Sequence, residues 1–306
     1  IEQIAELGQR FDEIVCTGVL HHLADPPLGL ARLAGSLKAD GALHLMVYAR
    51  YGRMGVEMMA EYARRLGLSA SDEDIAALAR TLAELPADHP LRHVLREAPD
   101  FRSTEGLADA LLNPRALSYS VPEVFDLLDA AGLRFARWYR TAPYSPRCGV
   151  VPDTPHGARL AGLPAPESYA AMELFRGTMA MHSLIAWPGD APNTWATDPM
   201  SIDEWPALVP IRLPAARTIV ERLPAGAAAV LLNSEHTYPD LVLPVAGYQK
   251  QLLDRIDGRR TVGEIVAGTA TPPERARAFL DELWRWDQVV FDGSGAIDRA
   301  SVLRSP

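Results

Sequence analysis

The chain has 306 residues, 48% hydrophobic and 23% charged, which fits one large or two moderate globular domains with a sizeable core. Its formal net charge of -9 and pI near 5.4 argue against nucleic acid as a partner, because a phosphate-tracking surface is basic, and leave a small-molecule or protein substrate. Cys16 and Cys148 are too few for a disulfide framework or a zinc cluster, so a cytoplasmic compartment and no metal are expected; no apolar stretch approaches the ~18 residues that span a bilayer, and no signal peptide is visible.

Ile14-Val15-Cys16 is a short apolar run opened by Asp12 and closed by Thr17-Gly18, the pattern of a buried strand in a parallel sheet. Pro26 and Pro27 suit a first helical turn, and Leu30, Leu33, Ala34 and Leu37 recur at the spacing of one apolar helix face. Lys38-Ala39-Asp40-Gly41 is predicted to stop that helix in a turn, and Ala42 to Tyr48 to form a second strand. Strand, helix and strand in that order make a βαβ crossover with parallel strands, whose ligands bind beyond the carboxyl ends. Those ends are Thr17-Gly18-Val19 and Tyr48-Ala49-Arg50.

Past Tyr48 the spacing turns helical. Met54, Met58, Met59, Tyr62, Ala63 and Leu66 form one stripe, closed by Gly67. Ser71 with Asp74 reads as a capping-box-like start, followed by a buried face of Ile75, Leu78, Ala79 and Leu82. Asp88 and Pro90 open a third helix through Glu97, and Thr104 to Leu112 is a fourth. Four helices between strands of one sheet exceed a simple crossover and suggest a cap, 54–118, over the carboxyl edge, where it could enclose a substrate and exclude water. Ser120 and Pro122 then begin a helix with Val124, Phe125, Leu127 and Leu128 inside, Gly132 ends it, and Leu133 to Tyr139 is strand-like.

Residues 151–206 read as a linker with a helix-strand extension: a helix over Ser168 to His182, a strand over Ser183 to Trp187, and an irregular stretch around Trp195 and Trp205. In the last hundred residues Tyr248, Leu252, Leu253 and Ile256 mark a helix, Thr261 and Glu264 cap another, Pro272 to Arg285 is a third, and Gln288 to Asp292 is a strand. Three helices and a strand suggest a small winged-helix-like α+β module over 207–306. From Val245 to Pro306 nine Lys and Arg balance nine Asp and Glu, so a protein partner is expected there rather than DNA.

Phe11-Asp12-x-Ile14-x-x-x-Gly18-Val19-Leu20-His21-His22-Leu23-x-Asp25-Pro26, followed by Leu37-Lys38-x-Asp40-Gly41-Ala42-Leu43-x-Leu45-Met46-Val47-Tyr48, resembles the fourth and fifth strands of class I S-adenosylmethionine-dependent methyltransferases. Tyr51-Gly52-Arg53-x-Gly55-Val56, Asp100-Phe101-Arg102, Ala108-Asp109-Ala110-Leu111-Leu112 and Glu173-Leu174-Phe175-Arg176-Gly177-Thr178-Met179 are similar to one bacterial branch of that family. The helix-Gly132-strand phrase resembles its sixth-strand unit. The resemblance implies an α/β fold, the C-terminal half of a Rossmann-like methyltransferase sheet with a helical insertion over 1–150, and S-adenosyl-L-methionine as cofactor. The family's acidic-x-Gly-x-Gly-x-Gly loop is not found in these residues, so the expectation is a truncated chain that binds cofactor poorly and is inactive by itself.

For the cofactor, Thr17, Gly18 and Val19 are expected to offer backbone groups at a strand end, with His22 beside them. The catalytic candidates are His21, as a base or a packed residue, with Tyr48 and Arg53 at the next strand end, where Arg50 and Tyr51 also lie and an Arg could clamp an acidic substrate. Glu173, Arg176 and His182 read as an internal salt bridge, Met54, Met58 and Met59 as core filler, and Cys16 as inert. The competing expectation is a non-enzymatic interaction protein whose partner binds residues from about 207 onward. A redox enzyme on a similar sheet lacks its own fingerprint here.

Overall fold

A computed structural model of the chain describes residues 1, 3–97, 101, 103–113, 116–190 and 198–294. Asp100, Arg102 and Trp195, singled out in the sequence, lie outside these residues. The elements run β1 (Phe11–Thr17), α1 (Pro26–Gly35), β2 (Leu37–Ala49), α2 (Met54–Arg65), α3 (Asp72–Ala83), α4 (Leu91–Glu97), α5 (Thr104–Leu112), β3 (Ser118–Tyr119), α6 (Val121–Ala130) and β4 (Leu133–Trp138). They continue with α7 (Gly157–Ala161), α8 (Ala165–Arg176), β5 (Met181–Pro188), β6 (Val209–Arg212), β7 (Ala216–Ile219), β8 (Ala229–Asn233), β9 (Val242–Val245), α9 (Gly247–Leu253), α10 (Val262–Ala267), α11 (Pro273–Arg285) and β10 (Val289–Asp292).

The chain divides into two compact units, Ile1–Arg140 with Gly162–Pro192, and Thr141–Ala161 with Asn193–Pro306. The first is built on a mixed sheet of order β1-β2-β5-β4, with β3 added beside the end of β2. β1 and β2 are parallel, pairing Glu13 with Ala42 and Thr17 with Met46, whereas β5 runs antiparallel to both β2 and β4. The stretch expected as a linker therefore supplies an interior strand, so the first unit extends past residue 150 and reaches back for 162–192. The helix before it ends at Arg176, six residues before the expected end at His182, stopped by Gly177 with its φ of +65°, and β5 begins at Met181.

Two further expectations are corrected. Lys38-Ala39-Asp40-Gly41 is no turn: α1 ends at Gly35, and residues 38–41 bulge within β2, between the pairs Phe11↔Leu37 and Glu13↔Ala42. Gly41 is required there because a Cβ would lie 2.8 Å from the Phe11 carbonyl oxygen, and Lys38 instead reaches Asp12 at 2.7 Å. β1 is buried on one face only, with Ile14 and Cys16 inside and Val15 and Thr17 exposed, and among the described residues no strand pairs with its outer edge.

Helices α2 to α5 form an insertion with its own core of Val56, Met59, Ile75, Leu78, Leu91 and Leu107. Ser71 and Ser103 cap α3 and α5 through their hydroxyls, accepting from the amides of Asp74 and Gly106. The stripe expected to face inward on α2 is half reversed: Met59 and Ala63 are buried, but Met54, Met58, Tyr62 and Leu66 are exposed. Gly55 sets this rotation, because its Cα packs against the Leu91 backbone with no room for a side chain, turning Val56, Met59 and Ala63 inward.

Glu173, fully buried on α8, joins elements distant in sequence. Its carboxylate accepts from the Val121 amide at the start of α6 (2.8 Å) and from His182 Nε2 (3.1 Å), which also donates to the Tyr119 carbonyl at 3.0 Å. The pairing expected within one helix thus runs from helix to strand. Replacing Glu173 by Ala strands two buried donors and is expected to cost roughly 3 kcal/mol or more in urea denaturation, with Glu173→Gln costing less.

The second unit carries a three-stranded antiparallel sheet, β7-β8-β9, and the antiparallel pair β6 and β10. Its core gathers Leu231, Leu243, Leu252, Ile265, Phe279 and Leu283. Thr261 and Glu264 form the expected capping box of α10. Asp287, buried in the left-handed region at φ +53°, holds three segments: its carboxylate accepts from the amides of Thr141 and Ala142, both at 2.8 Å, and from His236 Nε2 at 3.1 Å.

Candidate functional site

The parallel pairing brings the carboxyl ends of β1 and β2 side by side. After Thr17 the chain turns at Gly18, whose φ of +73° an L side chain rarely adopts, and enters a short 3-10 turn over Leu20–His22. The Gly18 amide still reaches the Met46 carbonyl at 3.4 Å, so the backbone leaves the sheet one residue later than Thr17. Beside β1 lies an open cleft of about 900 Å³, lined among others by Ile4, Ile14, Cys16, Val19, His22 and Leu33. Thr17, Gly18, Val19 and His22 are thus at one place: the end of β1, with Val19 and His22 on the cleft wall. Cys16, buried below them, has its thiol pushed up by burial and is kept unreactive.

His21 and His22 differ sharply. His22 is held by α5: Asn113 Nδ2 lies 3.2 Å from its Nδ1 and Asp109 Oδ2 lies 3.7 Å from its Nε2, while Asn113 Nδ2 also donates to Asp109 Oδ1 at 3.1 Å. An amide donor at Nδ1 makes that nitrogen the acceptor and directs the Nε2 proton toward Asp109. Neither Asp109 nor Asn113 was singled out for the site by its chemistry, although Asp109 lies in one of the family-like motifs; helical spacing alone does not show which strand end α5 will meet.

His21 is fully buried, and its carbonyl accepts from the Leu117 amide. Its ring centroid lies 3.8 Å from that of Tyr48 and 4.3 Å from that of His22. Burial above all, and then the charges of His22 and Arg53, push its pKa down to about 4, against a weaker opposing effect of Asp109, so the ring is neutral at pH 7. The Arg53 guanidinium sits 3.5 Å over the Tyr48 ring and is itself buried. His21, Tyr48 and Arg53 therefore form one stack at the carboxyl edge.

Arg53 is placed by its neighbours. A Cβ on Gly52 would collide with the backbone of Thr178 and Met179, and one on Gly55 with that of Pro90 and Leu91. Two family-like motifs far apart in sequence, 51–56 and 173–179, meet in this contact. Arg50 turns away from the stack: its guanidinium pairs with Glu123 at 2.7 Å and donates to the Ser118 carbonyl at 3.3 Å. Burial raises the Glu123 pKa, but the Ser120 amide and hydroxyl and Arg50 outweigh it and hold the carboxyl below its usual value. Arg50 thus fastens the start of α6 and is not set to clamp a substrate.

No family model matches the chain. Over 137 residues it is 37% identical to an uncharacterized protein of Synechococcus sp., a match covering 43% of this chain and 33% of that protein. PKMT2 from Rickettsia typhi superposes with a TM-score of 0.60 at 12% identity, over 94% of this chain and 59% of its own. The same protein in complex with AdoHcy gives 0.57 at 14% identity, over 92% and 57%. The chain spans a third of the curated relative and somewhat over half of each solved structure. The two structural likenesses show a fold shared with PKMT2, mixed α/β with a sheet and helices. Among the described residues no helix is long and apolar enough to cross a membrane, and no group of His, Cys, Asp and Glu is arranged to hold a metal.

Two outcomes test this geometry. Gly52→Ala forces backbone apart beside Arg53 and is expected to cost roughly 2 kcal/mol or more by thermal or urea unfolding. His21 has a folded pKa below its unfolded value near 6.5, so the unfolded chain binds the extra proton, and stability falls as pH drops from about 6.5 to about 4. That loss, up to about 3 kcal/mol, is expected to shrink in His21→Asn; an unchanged pH slope would contradict the burial of a neutral ring.

Proposed function

We propose that this chain belongs to an S-adenosylmethionine-dependent methyltransferase and supplies the side of the active site that meets the methyl acceptor, a small molecule or a protein. The observation that carries this reading is the parallel pair β1 and β2, whose carboxyl ends bring the Gly18 turn and the Tyr48 stack together under a helical insertion. A fold shared with PKMT2, which has been solved in complex with AdoHcy, supports it.

The residues present fit one wall of such a cofactor site. Val19 and His22 lie on the wall of an apolar cleft, and Thr17 and Gly18 offer backbone at the adjoining strand end, with Gly18 giving close access. When bound, S-adenosylmethionine supplies an electrophilic methyl group on a sulfonium. The protein's part is positioning, because an in-line displacement needs the nucleophile, carbon and sulfur aligned. Tyr48 and Arg53 stand where an acceptor would approach, and the insertion above them can exclude water.

For the second unit the winged-helix-like reading draws on α9, α10 and α11 followed by β10, although β10 pairs with β6 from before the helices. Its balanced charge suits a protein partner.

The methyltransferase reading is tested by titrating the ¹⁵N-labelled chain with S-adenosylhomocysteine. Weak binding, in the millimolar range, is expected to shift the amides of Thr17, Gly18, Val19 and His22 first. Shifts confined to other surfaces, or none at all at the highest soluble concentration, would overturn the assignment.

A further inference from the structure

Asn113, at the end of α5, has its side-chain Nδ2 3.1 Å from Asp109 Oδ1 and 3.2 Å from His22 Nδ1. A carboxylate oxygen only accepts, so the Asn113 atom facing Asp109 is the amide nitrogen and not the amide oxygen. The same NH2 group therefore faces His22, which makes Nδ1 the lone-pair nitrogen and puts the ring proton on Nε2. The Nε2–H donor has Asp109 Oδ2 at 3.7 Å, beyond hydrogen-bond reach, and meets no acceptor within reach among the described residues. The ring is 20% exposed, on the wall of the cleft at the end of β1, and stands edge-on to Tyr48 at 5.8 Å between centroids. An unspent donor thus sits where the cleft joins the Tyr48 stack.

We propose that Asn113, oriented by Asp109, is a positioning residue that fixes His22 as a hydrogen-bond donor through Nε2–H, and that His22 donates to an uncharged acceptor atom of the ligand in the cleft. This rests on the methyl-transfer reading above and deepens it. The adenosine part of the cofactor offers uncharged acceptors, its ring nitrogens and hydroxyls, and lies against His22. The carboxylate of the methionine part is disfavoured there, because it would meet the charge of Asp109 beside Nε2. His22 is then a binding group and not the base of the reaction, since its one lone pair is already taken by Asn113. Through this contact α5 of the insertion shapes the cofactor side of the site as well as covering the acceptor side.

The test reads the two ring nitrogens of His22 by proton–nitrogen NMR in the full ¹⁵N-labelled chain, with the signals assigned by His22→Phe. In the native protein Nε2 is expected to carry the proton and Nδ1 to be bare. Asn113→Asp replaces the donor by an acceptor and is expected to bring a proton to Nδ1. A native ring protonated at Nδ1, or an Nδ1 that stays bare in folded Asn113→Asp, overturns the positioning role. S-adenosylhomocysteine is then titrated into the native chain and both variants: His22→Phe keeps a ring without the donor, and each variant is expected to weaken binding roughly 3- to 10-fold, the worth of one hydrogen bond. Affinity unchanged in both variants overturns the donor role, whatever the tautomer. Because the ring is read without any ligand, a native chain silent toward S-adenosylhomocysteine defeats the methyltransferase reading separately.

Discussion

The pairing of β1 with β2 fixes every feature of the candidate site. With Thr17 beside Met46, β1 ends two residues before the level of Tyr48, so the Gly18 turn and Tyr48 become neighbours although they are thirty residues apart. An antiparallel pairing would place those ends on opposite sides. β1 is the edge strand of this sheet, and Ile14, Val15 and Cys16 along it line the cleft. The order β1-β2-β5-β4 then surrounds β2 with partners on both sides and makes its end the rigid point of the edge.

From that point outward, each functional side chain is positioned by contacts that local sequence does not show. Tyr48 is held in register by β3, Tyr119 by His182, and α6 by Glu173 and Arg50. Arg53 is aimed by two glycines that bring backbone against backbone. The insertion contributes from above through Asp109 and Asn113, which orient His22. Buried polar groups of this kind specify one arrangement because each has few alternative partners, and the cost of losing one is larger than the gain of forming it.

Much of this was legible in the residues. The crossover, the four helices of the insertion, the Gly132 stop and helices α9 to α11 of the second unit all appear where periodicity and capping residues place them, because those signals are local. The α2 face was not, since apolar residues line more than one side of that helix and only the Gly55 contact with Leu91 chooses between them. β6 to β9 went unread because four- and five-residue strands, two of them containing Pro210 or Pro244, carry too little alternation. The place of β5 between β2 and β4 is a long-range pairing, which no window of sequence contains. At the site, His21, Tyr48 and Arg53 do come together, but the division of labour between His21 and His22 depends on α5, and Arg50 is drawn off by Glu123.

The most direct test is a crystal structure of the chain soaked in S-adenosylhomocysteine. Density for the ligand against Thr17, Gly18 and Val19, with its sulfur directed toward Tyr48, is the predicted result. Ligand bound elsewhere, or β1 and β2 found in any pairing other than the parallel one, would contradict the account.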